Sequence, residues 1–171
     1  IDGVDGVSIR SSGAILSGDW KEVFTAADFL LTDTSAVHPE YPVQLYFLNG
    51  EQKLEPQRRM LSCSDRSQLP ELAMEALLAG PAGSGLKRTI PEGTQMADIS
   101  VDGASCIVVL SEEFAACDAD VGSAQNAVHA VVLTLCSLDA VEQVQIQLLG
   151  GTGLKYCAID VPLAPDPAWL E

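Results

Sequence analysis

Basic residues are scarce in this chain of 171 residues, because nine Lys and Arg stand against 24 Asp and Glu and give a net charge of −15. Nucleic-acid binding needs clustered Lys and Arg that neutralise phosphates, and docking on anionic lipid has the same need. The composition excludes both classes of partner.

The charge is also uneven along the chain. Residues 43–94 hold six acids and six bases, whereas residues 95–171 hold eleven acids and a single base, Lys155. An acidic half of this kind is typical of a solvated surface. The alternative is head-to-tail docking of the acidic half on the basic residues of a neighbour, which are Arg58, Arg59, Arg66, Lys87 and Arg88.

Long apolar runs and aromatic residues are missing too. No apolar run approaches the roughly 20 residues that a membrane-spanning helix needs. Two Trp, three Tyr and four Phe are few to line a pocket for a small ligand or a cell-wall glycan. With 47% hydrophobic and 19% charged residues, the composition is typical of a folded globular protein.

The five cysteines form no C-x-x-C pair, which excludes the common zinc-ribbon and thioredoxin-like spacings. Cys63, Cys106 and Cys136 lie in apolar periodic segments and are predicted to be small buried hydrophobes. Cys117 and Cys157 have more polar neighbours in the sequence. They are the candidate nucleophiles of a thiol-dependent enzyme, a distant alternative that needs a base or cation beside the thiol.

Only two histidines are present, and neither has a Cys, Asp or His at ligand spacing. His38 lies beside prolines and His129 on the polar flank of a predicted helix, so both are predicted to be solvated. Residues 80–87 superficially resemble a phosphate loop, but Leu86 stands where that motif has Lys, and we interpret the segment as a helix stop. The sequence therefore predicts no catalytic, cofactor-binding or metal-binding residue and no enzyme.

Hydrophobic periodicity predicts elements in the order β-β-α-β-β-α-β. Asn49-Gly50 supplies positive φ angles for a tight turn between the first two strands. Gly80-Pro81 stops the first helix, on which Glu71 and Glu75 face outward. The buried stripe of that helix is Leu69, Leu72, Ala73, Ala76 and Leu77, and the buried face of the first strand is Val43, Leu45 and Phe47.

Asp102-Gly103 predicts the type I′ turn of a second hairpin. Ser111 is expected to cap the following turn, which Phe114 anchors in the core. In the last strand, one face is predicted to be buried and the other wet; these faces are Val144, Ile146 and Leu148, and Gln143, Gln145 and Gln147. The pattern predicts an α+β fold with two helices packed on one face of a mixed or antiparallel sheet.

The second helix, starting near Gly122-Ser123, carries apolar residues on both faces. Its main stripe is Ala124, Ala127, Val128, Val131 and Leu135. Leu133 lies nearly opposite that stripe and Ala130 lies on the flank, so burial is predicted on both sides. Either the N-terminal lead-in or a partner covers the outer face.

Residues 1–9 with Gly13 match residues 138–146 with Gly150 at a constant offset of 137. Chance similarity between two short apolar segments is the alternative to a repeat. We interpret residues 1–42 as a lead-in, consisting of the C-terminal tail of a preceding copy and a linker, and residues 43–171 as the domain proper. A complete copy is then expected upstream of Ile1, together with a lipoprotein signal.

Short blocks run in order through residues 43–162: Leu54-x-Pro56 with Arg59, Leu77-Leu78-x-Gly80-Pro81, Ile90-Pro91-x-Gly93-Thr94, Val101-Asp102-Gly103, Leu110-Ser111-x-x-Phe114 and Thr134-Leu135. In this order and spacing they resemble the GerM (GerMN) domain family of sporulation and germination proteins and related lipoproteins. That resemblance implies tandem domains with a fold similar to the ring-building domains of secretion systems.

The resemblance also implies a function. It points to a non-catalytic interaction or scaffolding module of the bacterial cell envelope, extracytoplasmic and lipid-anchored through a segment outside this chain. The implied partners are envelope proteins, with self-association or a ring assembly, and neither nucleic acid nor a cofactor. The alternative from another class is a small-ligand or cell-wall-binding domain.

Overall fold

The computed structural model describes residues 10–11, 14–15, 39–83, 85–151 and 153–170. Backbone contacts divide the chain into two units, Ile1–His38 and Pro39–Glu171. In the first unit, β1 (Arg10–Ser11) and β2 (Ala14–Ile15) form a short antiparallel pair. The repeat predicted from residues 1–9 lies outside the described residues, and the division into a lead-in and a domain stays a prediction.

In the second unit, β3 (Glu40–Leu48) and β4 (Leu54–Ser62) form an antiparallel hairpin. Val43, Leu45 and Phe47 are buried on one face of β3, as predicted. The tight turn predicted at Asn49-Gly50 is wrong. Five residues connect the strands, the Asn49 side chain accepts hydrogen bonds from two backbone amides of the loop, and the positive φ falls on Gln52. An Asx-type side-chain bond therefore replaces glycine in closing this loop.

The first helix, α1 (Leu69–Ala79), begins with a proline in its first turn. A residue without a backbone N–H is tolerated there, since that group has no partner inside the helix. Glu71 and Glu75 are exposed, as predicted. The buried residues are Leu69, Pro70, Ala73, Met74 and Leu77; in the predicted stripe, Leu72 and Ala76 are only partly buried against the same core.

The second sheet contains β5 (Met96–Asp102), β6 (Ser105–Leu110) and β7 (Gln143–Leu148). β6 pairs antiparallel with β5 and parallel with β7. Because Asp102 pairs with Ser105, the turn consists of Gly103 and Ala104, with a positive φ at Gly103 alone. This is the pattern of a type II′ turn, so the predicted type I′ turn centred on Asp102-Gly103 is wrong.

The second helix, α2 (Val121–Cys136), connects the parallel strands β6 and β7. Its N-cap is Asp120, whose carboxylate accepts a hydrogen bond of 2.9 Å from the Ser123 amide. The helix therefore starts slightly earlier than the predicted Gly122-Ser123. A 3-10 segment, Glu112–Ala119, precedes it, and within that segment Phe114 is fully buried, as predicted.

The outer face of α2 is covered by the first hairpin. Ala130 and Leu133 pack with Tyr46 and Leu54 in a second apolar cluster, against which Trp169 also packs. The predicted double burial is confirmed. Strand β3 contributes Tyr46 to this cluster from the face opposite Phe47, and a covering by the lead-in or by a partner stays a prediction.

These elements define an α+β fold with strands of mixed orientation, as the periodicity predicts. The strands of the second unit divide into a two-stranded and a three-stranded sheet. Hydrophobic residues from both sheets and both helices form the main core.

Candidate interaction surface

No cluster of three or more potential metal ligands exists within the described ranges. Cys63, Cys106 and Cys117 are buried, whereas Cys136 and Cys157 are half-buried. The polar surroundings predicted for Cys117 are therefore wrong. Burial is confirmed for Cys63 and Cys106, whereas Cys136 is only partly buried against the core. Desolvation, with smaller contributions from Asp118 and Cys157, raises the pKa of Cys117 to about 12, and burial also raises the pKa of Cys157.

These shifts are opposite to the lowered pKa that a nucleophilic thiolate requires. We expect the buried thiols of the folded chain to react with iodoacetamide at least about tenfold more slowly than a free model thiol at neutral pH. Mass spectrometry of labelled peptides measures this, with the chain in denaturant as the control. Labelling of native Cys117 at or above the model-thiol rate would contradict the burial described here.

His129 is half-buried, so its predicted solvation is wrong. Its ring stacks on Trp169 with ring centroids 3.8 Å apart and an angle of 4° between the planes. Burial lowers the pKa of His129, and the Asp166 carboxylate opposes that shift. No local sequence pattern indicates the burial of His129, because Trp169 is 40 residues away in the sequence. His38 lies outside the described residues.

Two arginines cap the C-terminus of α1, and a glutamine orients one of them. Arg59 donates to the carbonyls of Ala76 and Gly80, and Arg88 donates to two further carbonyls at 2.7 and 2.6 Å. Gln57 orients Arg59 by accepting from its guanidinium at 2.9 Å. Cations suit this end of a helix, whose last carbonyls lack partners within the helix.

Gly80 completes this cap and explains the break after α1. Its φ is +94°, and an added Cβ would lie 2.9 Å from Nε of Arg88. Segment 80–87 follows a helix C-terminus, which confirms the helix stop and removes the context of a phosphate loop. Because Arg59 and Arg88 hold their own chain, the head-to-tail surface predicted from all five basic residues loses two of its members.

The junction before α2 is likewise structural. Ser111 does not cap the 3-10 segment with its side chain; its hydroxyl accepts a 3.0 Å hydrogen bond from the Gln95 amide. Ser111 therefore occupies the predicted N-cap position, with Glu112 and Glu113 in the first turn, but its side chain does not make the capping hydrogen bond. A hydrogen bond from Ser111 lowers the pKa of Glu113, so this exposed carboxylate is not poised as a general acid.

A side chain of α2 and one of the residue after it accept hydrogen bonds from the free edge of β3. The Tyr46 amide donates to Oγ1 of Thr134 at 3.2 Å, and the Gln44 amide donates to Oγ of Ser137 at 3.4 Å. Farther along the strand, Leu48 exchanges backbone hydrogen bonds with Lys87. These contacts protect an edge that could otherwise pair with another chain.

The outer edge of β7 is also occupied, by the chain that follows it. Val144 exchanges backbone hydrogen bonds with Leu163 at 2.8 Å, and the Ile146 amide donates to the Ile159 carbonyl at 2.9 Å. Gln145 adds a side-chain bond to the Asp160 carbonyl at 2.7 Å. Neither β3 nor β7 therefore offers a continuous free strand edge.

One face of the three-stranded sheet packs into the core, and the other, termed here the open face, does not. Strand register assigns the open face, because directly paired residues point to the same side. Its members are half-buried or exposed: Asp98, Ser100, Asp102, Ser105, Ile107, Val109, Gln143, Gln145 and Gln147. The wet glutamine face predicted for the last strand is thus one row of a surface spanning three strands.

The open face is polar with an apolar centre. Ile107 and Val109 lie between the glutamines of β7 and the serine of β5, and Asp98 and Asp102 form an acidic border. Its amides and hydroxyls can both donate and accept hydrogen bonds. Chemically, this arrangement can bind another protein surface and offers no nucleophile or metal ligand set.

Three cavities on the surface of the described residues are small. One of about 220 Å³ lies on the open face, and one of about 320 Å³ lies beside Cys157. A third, of about 260 Å³, lies between Tyr41 and Leu138, where the Arg66 guanidinium is 5.0 Å from the Tyr41 ring centroid. These volumes fall at or below the lower end of the ~300–1,000 Å³ typical of small-ligand sites.

The fold and the open face define a small α+β domain built around a mixed sheet. The profile of the Germane family, described as sporulation and spore germination, matches residues 44–153. The chain belongs to this family, as its ordered blocks predict. A search of curated proteins found no match.

Solved structures share the fold. The first GerMN domain of the sporulation protein GerM from Bacillus subtilis has a TM-score of 0.58 at 15% identity, over 75% of this chain and 98% of that one. The tandem GerMN domains of the same protein give 0.58 at 16%, over 72% and 46%. A Clostridium perfringens protein, provisionally assigned as a lipoprotein, gives 0.54 at 19%, over 75% and 91%.

In the part of the chain that the structure describes, no helix is long and apolar enough to cross a bilayer.

Proposed function

We propose that this chain is a non-catalytic interaction module of the cell envelope in sporulation or germination, and that the open face binds its partner. The observation that carries the proposal is the open face itself, a three-stranded surface with an apolar centre and polar surroundings. An uncovered apolar centre with a polar rim is typical of transient protein interfaces. Charge argues for a protein partner, since the acidic border and the net charge repel nucleic acid.

The raised pKa values of Cys117 and Cys157, the two candidate nucleophiles, support a role without catalysis. Residues of the family blocks also support this role, because they stabilise the fold. Arg59 and Gly80 cap α1, Phe114 fills the core, and Thr134 accepts a hydrogen bond from β3. An extracytoplasmic, lipid-anchored location is part of the proposal, supported by the family and by the similarity to a Clostridium perfringens protein provisionally assigned as a lipoprotein.

Photo-crosslinking in the source cells tests the open face. A photoreactive residue replaces Gln147, which is exposed on the open face, and in a control it replaces Glu71, which is exposed on α1. We expect a discrete adduct with an envelope protein from position 147 and none from position 71. Equal adduct patterns at the two positions would refute a partner on the open face.

The location is tested separately. Protease added to intact protoplasts is expected to degrade an extracytoplasmic chain while a cytoplasmic control protein survives. Protection of the chain until the membrane is lysed would contradict the proposed location.

Small-ligand or cell-wall binding remains the second candidate, carried by the cavity between Tyr41 and Leu138, which combines an aromatic ring with the Arg66 cation. Saturable binding of peptidoglycan fragments that is lost in Tyr41→Ala would favour it. Calorimetry with the folded chain makes this measurement.

A further inference from the structure

The chain that follows β7 is held to the molecule at two places. Residues 153–163, termed here the return segment, have an irregular backbone and form the backbone hydrogen bonds that cover the edge of β7. Nearer its start, the Asp118 carboxylate accepts hydrogen bonds from the amides of Lys155 and Tyr156 at 2.6 and 3.1 Å. The return segment is therefore tied both to β7 and to the 3-10 segment that precedes α2.

The hydrogen bonds of Asp118 bring two cysteines together. Cys117 directly precedes Asp118, and Cys157 directly follows Tyr156, so each cysteine is one residue away from this contact. Consecutive Cα atoms are only ~3.8 Å apart, which keeps both cysteines in the same region. Cys117 belongs to the main core, and Cys157 packs against that core. Two free thiols thus meet at one junction, although they are 40 positions apart in the sequence.

The pKa values of the two thiols agree with this shared location. Desolvation is the main cause of the raised pKa of Cys117, and the negative charges of Asp118 and of the Cys157 thiolate add to it. Nearby charges have this effect on a pKa. Thiols of high pKa are also poor leaving groups, so a disulfide bond between them resists reduction by thiol exchange.

We propose that Cys117 and Cys157 form a disulfide bond under oxidising conditions, and that this bond fastens the return segment to the 3-10 segment before α2. A disulfide requires close Cα atoms and side chains that point toward each other. The Asp118 contact brings the backbones together, and the half-buried Cys157 lines a cavity of about 320 Å³ that leaves its side chain space to turn. Disulfides persist outside the cytoplasm, so the bond suits the proposed extracytoplasmic location, but its test below does not depend on that location.

The bond forms by thiol–disulfide exchange with a small disulfide such as oxidised glutathione. Cys157 is the more accessible thiol, so its thiolate attacks one sulfur of the glutathione disulfide, and one glutathione thiolate leaves. The Cys117 thiolate then attacks the Cys157 sulfur and releases the second glutathione thiolate. The two thiol protons of the cysteines pass to the two glutathione molecules, and the two electrons that the cysteines lose reduce the glutathione disulfide.

Refolding of the reduced, denatured chain in a mixture of reduced and excess oxidised glutathione tests the proposal. Remaining thiols are blocked with N-ethylmaleimide, and combined cleavage after Lys and Arg, after Glu and before Asp puts each of the five cysteines on its own peptide. We expect mass spectrometry to find the Cys117 peptide joined to the Cys157 peptide. The oxidised chain is expected to melt at least about 4 °C above the same chain after reduction.

Two serine variants show which bond causes the gain in melting temperature. Cys157→Ser is expected to lose the gain, whereas Cys136→Ser, at an equally half-buried cysteine, keeps it. Cys136 is the matched control because it belongs to the other pair of neighbouring thiols, in which burial and the Cys136 thiolate raise the pKa of Cys106 to about 11. Each variant is compared with its own reduced form, so the effect of the substitution on stability cancels.

A chain that stays fully reduced in this mixture would overturn the proposal, as would a bond confined to Cys106 and Cys136. An unchanged melting temperature of the chain linked between Cys117 and Cys157 would contradict the fastening of the return segment. These results are separate from the crosslinking at position 147, which reports on the open face.

Discussion

Replacement of Phe114 by Ala is expected to lower the free energy of unfolding by about 3–5 kcal/mol. The Phe114 ring is fully buried in the main core, and it holds the 3-10 segment Glu112–Ala119 against the helices and sheet. Truncation removes the transfer free energy of the ring and leaves a cavity that close-packed neighbours fill only in part. Urea unfolding followed by circular dichroism measures the loss.

Glu112→Ala is the matched control for Phe114→Ala, since Glu112 lies in the same segment and is exposed. Exposed substitutions of this kind usually change stability by less than about 0.5 kcal/mol. A loss below about 1 kcal/mol for Phe114→Ala would contradict the anchoring role, because it would lie within the range of ordinary surface changes.

Thr134→Val is expected to cost about 1–3 kcal/mol although the two side chains have nearly the same shape. Thr134 is fully buried, and its Oγ1 accepts the hydrogen bond of the Tyr46 amide at 3.2 Å. Valine leaves this buried N–H without an acceptor, and an unsatisfied donor loses its full hydration free energy. The Tyr46 amide should therefore exchange with solvent deuterium faster, as NMR measures directly.

Thr134→Ser separates the hydrogen bond from the packing. Serine keeps the acceptor and removes one methyl group, so a loss near ~0.8 kcal/mol is expected with the Tyr46 amide still protected. Unchanged protection of that amide in Thr134→Val would show that the β3 edge does not depend on α2. The family block Thr134-Leu135 would then lack the structural role assigned to it.

Local periodicity predicted the elements well because each pattern reports a single buried face. Val43, Leu45 and Phe47 alternate as a half-buried strand does, and this part of the prediction is confirmed. Tyr46 lies on the opposite face of β3 together with Leu48, and its burial depends on α2, which lies far along the chain. No local pattern contains that contact, and this is why the covering of Ala130 and Leu133 was missed.

The predictions for the Asn49-Gly50 turn and for Cys117 failed for a similar reason. The Asn49-Gly50 pair is the strongest short hairpin signal, but the Asn49 side chain closes a longer loop instead. Cys117 was judged by its polar neighbours along the sequence, whereas its burial is decided by tertiary packing. In both cases the competing interaction is one that spacing alone does not encode.

Of the three rows of residues on the open face, the sequence predicted only the row on β7. The alternation around Gln145 indicates a wet face for β7, since polar and apolar residues alternate there. The rows on β5 and β6 depend on register, and the parallel pairing of Ile107 with Gln145 follows only from the crossover through α2. The stacking of His129 on Trp169 was missed because the two residues meet only in space.

Complementation of a deletion strain tests the central claim, that the open face carries function while the family blocks maintain the fold. One variant carries Ser100→Lys and Gln147→Lys on the open face, and its control carries Ala116→Lys and Gln125→Lys, equally exposed and with the same change of charge. With both variants shown to be folded, we predict that the control restores spore formation and germination and the open-face variant does not. Full restoration by both variants would contradict the account.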